Sequence, residues 1–296
     1  MTTSTTSSST KVRNALAYCV QQVRKYDYAN YLCALHLPPA PRAAAFALRA
    51  FNIETAQAGD SREMSLAMMR LVWWRDAIDG IYKKRLLEHP VVQALGSVIT
   101  EHHLSKHWFT RLLEARSLDL DMATSPTDIS EIERYAEDTS SALLYLTLEA
   151  AGVRNTAADH AASHIGKSAG LALLLRASPY HAARRRSYIP LDVAAKHGLA
   201  QEDLYRGKNL EALSSAVHEV ASAASAHLEK ARSLSGTIPA AAKPVLLPAV
   251  PTGVLLNTLQ KVDFNVFDPT LTRGVCGISP LWMQLQLQWN SYKGTY

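Results

Sequence analysis

The stretch at residues 160–199, HAASHIGKSAGLALLLRASPYHAARRRSYIPLDVAAKHGL, decides the fold of this chain. From residue 161 to residue 175 nearly every side chain is small or apolar, which predicts a helix that is buried on most sides. The run ends at Arg176, followed by Pro179 and the basic residues 184–186. The sequence therefore predicts a buried central helix that delivers charged groups to an interior site.

The segments on both sides of this stretch repeat apolar residues at helical spacing, and no alternating strand pattern or fixed-period repeat stands out. Residues 64–82, MSLAMMRLVWWRDAIDGIY, are apolar almost all round, which favours a central helix. A second clear stripe lies near the end of the chain, at Ile278, Leu281, Trp282, Leu285, Trp289 and Tyr292. The fold class is predicted to be all-α, with a disordered segment over residues 1–10 and a single helical domain over 11–296.

Composition excludes several classes of protein. A net charge of +5 with 48% hydrophobic residues fits a globular protein, and does not require nucleic acid as a partner. Three scattered cysteines favour neither disulfides nor a cysteine zinc site. No apolar run reaches the roughly 18 residues of a spanning helix. The Ser- and Thr-rich N-terminus has no acidic residue before Asp27, so it is compatible with an organellar presequence.

Two short patterns resemble catalytic or metal motifs by letter. Residues 166–170, GKSAG, match G-x-S-x-G, but a nucleophilic serine needs a strand that enters a sharp turn. The small residues are better explained as sites of close helix–helix approach. The histidine pairs at 103 and 107, and at 160 and 164, lack the third ligand that zinc would need, so they are interpreted as coincidental.

Carboxylates are scarce where a helical Mg²⁺-diphosphate site would need them. Such a site requires several acidic side chains about one helical turn apart to hold the metal ions. Glu54 and Asp60 do not form an i, i+4 pair, and no carboxylate lies between Asp159 and Asp192. The sequence therefore predicts no metal site and no cofactor.

Several segments together resemble the squalene/phytoene synthase family over about residues 15–290. They are LP at 37–38 with Arg42, MRLVWWR at 69–75, GLALLLR at 170–176, RSYIPLD at 186–192 and HGL at 197–199. The resemblance implies an isoprenoid (terpenoid) synthase-like helical bundle around a central cavity. Residues 64–82 and 161–176 are expected to line that cavity.

The family carries two D-x-x-x-D motifs that hold Mg²⁺, and this sequence departs from both. The first falls on residues 56–60, where Ala56 replaces the leading aspartate and Asp60 remains. The second falls on 177–181, where Ala177 and His181 stand at the aspartate positions. The resemblance thus implies a non-catalytic protein. The alternative is an active prenyltransferase that condenses isoprenoid diphosphates with Mg²⁺.

Within that family, the chain is similar to the branch that acts in the assembly of mitochondrial respiratory complex I. The segments that carry this likeness are AFNIE at 50–54, YAE at 135–137, SALLYLTLE at 141–149, ADHAASHIGK at 158–167 and VDF at 262–264. The likeness implies a mitochondrial protein on the matrix side of the inner membrane, peripherally associated with it. Complex I subunits or other assembly factors are the implied partners, with an isoprenoid or anionic lipid as a possible ligand and no nucleic acid.

The resemblance also suggests a residual anion- or diphosphate-binding site. Its predicted members are Arg42, Asp60, Arg176, Arg186 and Tyr188, with Glu54 and Asp192 as further acids. Guanidinium groups can grip phosphate without a metal ion. They can equally form buried ion pairs, because an uncompensated charge inside a cavity is costly. Both interpretations remain open from the sequence.

Overall fold

Helices account for almost all regular structure in the computed structural model, which describes residues 3–61, 63–121 and 125–296. No strand occurs in these ranges, only an isolated bridge between Val275 and Ile278. The prediction of an all-α fold is confirmed. Fifteen α-helices are described: α1 Thr3–Tyr26, α2 Tyr28–Ala34, α3 Pro39–Ala58, α4 Met64–Tyr82, α5 Pro90–His102, α6 Lys106–Asp121, α7 Ile129–Ala136, α8 Ala142–Ala150, α9 Thr156–Arg176, α10 Ser178–Ala182, α11 Leu191–Lys196, α12 Gln201–Arg206, α13 Leu210–Ser233, α14 Ala249–Lys261 and α15 Pro280–Lys293.

Helix α9 is the centre of the bundle, as its sequence predicts. It packs along α13 and also contacts α7, α8, α14 and a π-helical turn, Glu137–Ser141, that joins α7 to α8. Ala161, Ala162 and Ile165 are completely buried. Asn155 caps the helix, since its side-chain oxygen accepts a hydrogen bond from the Ala158 amide at 3.0 Å. Small residues on several faces of α9 allow neighbouring helices to approach it closely from several directions.

Helix α4 is not central, so the prediction for residues 64–82 is wrong. One face packs on α6, α3 and α5 through buried residues that include Leu71, Trp74 and Ile78. The other face is exposed and still apolar: Met69 is 65% exposed, and Met64 and Val72 about half. The continuous apolar sequence could not reveal this, because apolar side chains contribute much of any protein surface.

The apolar stripe near the end of the chain lies mostly on the solvent-facing side of its helix. Helix α15 buries Met283 and Leu287, and turns the five stripe residues that lie on it towards solvent. The buried pair lies on the opposite side of the helix from Leu285 and Trp289.

The N-terminal segment differs from the prediction of disorder over residues 1–10. Helix α1 already begins at Thr3, while residues 1 and 2 lie outside the described part of the chain. No glycine or proline occurs before Pro38, so nothing in the sequence breaks a helix that extends towards the N-terminus from its packed part.

Length and hydropathy decide whether a helix in the described ranges could cross a bilayer. No single helix there is both long enough and apolar enough to cross a bilayer, and one bent pair, Ala240–Leu246 with Ala249–Lys261, meets the test by length and composition alone.

Candidate functional site

A cavity of about 340 Å³ lies between α3, α8, α9 and α14. Helix α9 lines it, as predicted, through residues from Gly166 to Arg176. The other predicted wall, residues 64–82, is absent from the lining, and α3 takes its place. The apolar part of the wall includes Ile53, Leu143, Leu144, Ala169, Ala172, Leu173 and Leu255.

The polar groups of this cavity are concentrated on α9, α3 and the start of α2. Arg176 reaches Cys276, whose sulfur is 4.0 Å from a guanidinium nitrogen. Burial raises the pKa of the Cys276 thiol, and the nearby guanidinium partly offsets that rise. Arg49 is compensated by Asp27 at 3.7 Å, and Asn30 donates to the same carboxylate at 2.8 Å. Among the described residues, no carboxylate pairs with Arg176. The cavity therefore offers apolar walls and a cationic group to an amphiphile with an anionic end.

The segments that correspond to the two family motifs meet at the ends of α3 and α9. Asp60 accepts a hydrogen bond from the hydroxyl of Tyr180, and the guanidinium of Arg184 lies 3.6 Å above the Tyr180 ring. Ala56 lines the cavity one turn before Asp60. A carboxylate–tyrosine hydrogen bond thus joins the two segments.

These residues do not fit the Mg²⁺ ions that the family's enzymes use. A Mg²⁺ site of that kind needs several carboxylate oxygens, but Asp60 is the only acid in residues 56–60 and 177–181. Its carboxylate is also engaged by Tyr180. In the part of the chain that the structure describes, no group of three or more metal-ligating side chains comes together.

The structure does not bring the five predicted members of the residual site together in one place. Of its five members only Arg176 lines the cavity. Arg42 donates instead to the Leu37 carbonyl oxygen at 2.7 Å and 3.0 Å, which ties α3 to the turn before it. The further acids are also engaged locally: Glu54 accepts from Tyr18 at 3.1 Å, and Asp192 from the Val193 amide at 2.6 Å.

Arg186 and Tyr188 belong to a second pocket of about 390 Å³ between α6, α7 and the segment after α10. Both contact Asp119: the tyrosine hydroxyl donates at 2.8 Å, and the guanidinium lies 3.2 Å from the carboxylate and 2.7 Å from the backbone oxygen. No sequence pattern distinguishes Asp119 from Glu114 and Asp121, the other acids of α6, so sequence reasoning missed it. Whether any of the predicted residues binds an anion stays a prediction.

His181 lies between the Asp60–Tyr180 contact and the pocket that holds Arg186 and Tyr188. Its ring packs edge-on against Tyr180 and Tyr188, with centroids 5.3 Å and 4.6 Å away. Burial, reinforced by Arg186 and Arg184, lowers the pKa of His181 to about 4. The position where the family carries an aspartate therefore holds a neutral ring near pH 7.

We expect His181→Gln to reduce the loss of stability in acid. Since the folded-state pKa is below the unfolded value of about 6.5, the unfolded chain binds this proton first as the pH falls. The contribution of the neutral His181 ring to the free energy of unfolding is complete above about pH 6.5. It is lost as the pH falls towards 4, and the total loss is about 3 kcal/mol. Urea unfolding at neutral pH and near pH 4 measures it. An equal acid loss in both proteins would contradict the assignment.

The two short patterns are resolved by their surroundings. Ser168 lies inside α9 and is fully buried, so it lacks the exposed turn of a catalytic serine. His164 pairs with His227 of α13, Nδ1 to Nδ1 at 2.8 Å, and not with His160. His227 in turn contacts Glu133 at 3.0 Å. This arrangement links α9, α13 and α7.

Known proteins resemble this chain in both sequence and fold. The sequence model described as squalene/phytoene synthase matches residues 23–275. A bovine protein named NADH dehydrogenase (ubiquinone) complex I, assembly factor 6 is 44% identical over 257 residues, which cover 86% of this chain and 77% of that protein. The human protein of the same name is 40% identical over 280 residues, covering 94% and 82%.

Solved structures share the fold at low sequence identity. A dehydrosqualene synthase in complex with a ligand superposes with a TM-score of 0.82 at 18% identity, covering 97% of this chain and 99% of that one. A squalene synthase from Alicyclobacillus acidocaldarius gives 0.75 at 17% identity, covering 86% and 97%. The expected isoprenoid synthase-like bundle is confirmed. Given the match over most of its length, the chain belongs to the squalene/phytoene synthase family.

Proposed function

We propose that this protein is a non-catalytic assembly factor for mitochondrial respiratory complex I, built on the fold of a prenyl-synthase family. The observation that carries the proposal is the state of the two motif segments: Ala56, Ala177 and His181 occupy three aspartate positions, and Asp60 is engaged by Tyr180. The relatives at 40% and 44% identity, which are named for complex I assembly, support the same function.

The location and partners follow from this function. The protein acts in mitochondria, on the matrix side of the inner membrane, and it contacts complex I subunits or other assembly factors. The cavity beside Arg176 is the part of the enzyme architecture that it retains. An isoprenoid or anionic lipid is the class of ligand that suits its apolar walls and the Arg176 guanidinium, which pairs with no carboxylate in the described part of the chain. Neither role requires a metal ion.

Complementation tests the proposal. Cells that lack their own relative of this protein are given the wild-type chain or Asp60→Asn, and complex I is measured by native gel electrophoresis and by NADH:ubiquinone activity. We expect both forms to restore the complex equally, because an asparagine side-chain oxygen can still accept the hydrogen bond that Asp60 accepts from Tyr180. Failure of the wild-type chain to restore complex I, although it is imported and stable, would overturn the proposal.

The alternative, an active Mg²⁺-dependent prenyltransferase, predicts a different result with purified protein. We expect no release of diphosphate from farnesyl or geranylgeranyl diphosphate above the background without protein, since a single carboxylate cannot bridge metal ions to a diphosphate. A Mg²⁺-dependent turnover that Asp60→Asn abolishes would establish the enzyme instead.

A further inference from the structure

The outer face of helix α15 carries five large apolar side chains that no other part of the described chain covers. They are between 52% and 85% exposed and comprise Leu281, Trp282, Leu285, Trp289 and Tyr292. At 100° per residue these five fall within an arc of about 100°. A single exposed apolar residue needs no explanation, but a contiguous face with two tryptophans and a tyrosine does.

This face is held outward by anchors on the inner side and at both ends of the helix. Met283 and Leu287 are completely buried beneath it. Ser279 accepts from the Trp282 amide at the N-terminus, and Gly294 ends the helix in the left-handed conformation. Beyond it Tyr296 is buried, with its hydroxyl donating to the Ala231 carbonyl oxygen at 3.0 Å. The helix cannot roll its apolar face inward without losing these contacts.

The chemistry of the face fits a lipid–water interface. Tryptophan and tyrosine combine an apolar ring with a polar N–H or O–H, which suits the headgroup level of a bilayer. The helix contains no acidic residue, and its last turn carries Lys293, whose ammonium lies 4.3 Å from the centre of the Trp289 ring. The whole chain has a net charge of +5. The face is therefore complementary in polarity and charge to an anionic membrane surface.

We propose that α15 is the membrane-contacting element of this protein, lying in the plane of an anionic lipid surface with its Leu-Trp-Leu-Trp-Tyr face inserted at the headgroup level. At about 1.5 Å per residue the helix is roughly 20 Å long, and its body-facing side remains packed on α14 and α2. The proposal rests on the proposed location at the matrix side of the inner membrane and specifies which element contacts that membrane. It holds for the purified chain without any complex I component.

Vesicle co-sedimentation of the purified full chain tests this directly. Wild type is expected to bind vesicles of phosphatidylcholine mixed with phosphatidylglycerol, and to bind phosphatidylcholine alone more weakly. Leu285→Gln with Trp289→Gln should weaken binding to the mixed vesicles about a hundredfold, roughly tenfold for each large apolar side chain removed from the interface. The matched control is Met69→Gln with Leu118→Gln, which removes two apolar side chains of similar exposure from α4 and α6. It should bind as wild type does.

Quenching of tryptophan fluorescence is a second measurement, and it does not require a variant that has lost its binding to vesicles. Brominated lipids should quench the fluorescence of wild type, and Trp282→Phe with Trp289→Phe should keep the binding while removing most of the quenching. The three other tryptophans, at 73, 74 and 108, then report the residual signal.

Three results would overturn the proposal. One is a wild-type chain that binds neither kind of vesicle, and another is vesicle binding that the α15 variant leaves unchanged. The third is a wild-type dimer that the α15 variant converts to monomers, which would make a second copy of the chain the occupant of this face. None of these outcomes depends on complementation, so a failure here is distinguishable from a failure of the assembly function.

Discussion

Replacing Gly166 with alanine is expected to lower the free energy of unfolding by about 3 kcal/mol, because it overpacks a close contact between α9 and the π-helical turn. A methyl group at this position would lie 2.2 Å from the hydroxyl oxygen of Ser141 and 2.5 Å from the Ser141 Cα and backbone nitrogen. Ser141 belongs to the π-helical turn, and its own hydroxyl donates to the Ser163 carbonyl oxygen of α9 at 3.0 Å. Relief therefore requires backbone movement of two packed elements.

Urea unfolding followed by circular dichroism measures this effect. The matched control is Gly236→Ala, where an added methyl meets nothing within 4 Å and the backbone is not in the left-handed region. We expect that control to stay within about 0.5 kcal/mol of wild type. If the Gly166 variant also unfolds at the wild-type urea concentration, the close approach is not a determinant of stability.

The same glycine marks how far the sequence could predict the fold. Small residues at 166–170 inside a helical pattern predict close approach by a neighbour, and the structure confirms it: a methyl on Gly170 would lie 2.5 Å from the Ala136 methyl. The sequence could not identify the neighbour, since no local signal shows that the turn at residues 137–141 becomes π-helical. Pairing between helices is a tertiary property, and the period of one helix does not encode it.

The two apolar helices show where periodicity is insufficient. The pattern of α4 predicts a central helix and that of α15 an apolar stripe, yet each helix buries one face and exposes another that is equally apolar. Burial depends on which face meets a neighbour. In α15 the two buried residues, Met283 and Leu287, are fewer and smaller in total than the exposed ones, so a rule based on hydrophobicity selects the wrong side.

The candidate site was predicted in part. The α9 wall and Arg176 follow from the sequence and its family resemblance, and both are found at the cavity. Arg186 and Tyr188 follow the same resemblance but contact Asp119, 67 and 69 residues earlier in the chain. Partner choice between distant charged groups is decided by the assembled geometry, which a single sequence does not contain.

Phe51→Ala is the second substitution for which we expect a large effect, a loss of about 4 kcal/mol in the free energy of unfolding. Phe51 is completely buried, and its ring packs edge-on against Trp74 of α4 and Phe109 of α6, with centroids 5.4 Å and 5.5 Å away. This one side chain of α3, a helix that lines the cavity, therefore packs against both α4 and α6. Truncation removes the transfer free energy of the ring and leaves a void that three helices would have to close.

The size of the void should account for most of the stability lost in Phe51→Ala, and the loss of the edge-on ring contacts for less. Phe51→Leu separates these two causes. Leucine keeps most of the volume but none of the ring contacts, so we expect it to cost only about 1.5 kcal/mol in the same urea experiment. A leucine variant as unstable as the alanine variant would show that the edge-on contacts with Trp74 and Phe109 carry the stability. Because a loss of this size lowers protein abundance in cells, the alanine variant should also reduce complex I in the complementation assay. The cause would then be depletion of the folded protein and not a defect at the cavity. Immunoblotting distinguishes the two, because the amount of the Phe51→Ala protein should fall below that of the Asp60→Asn protein.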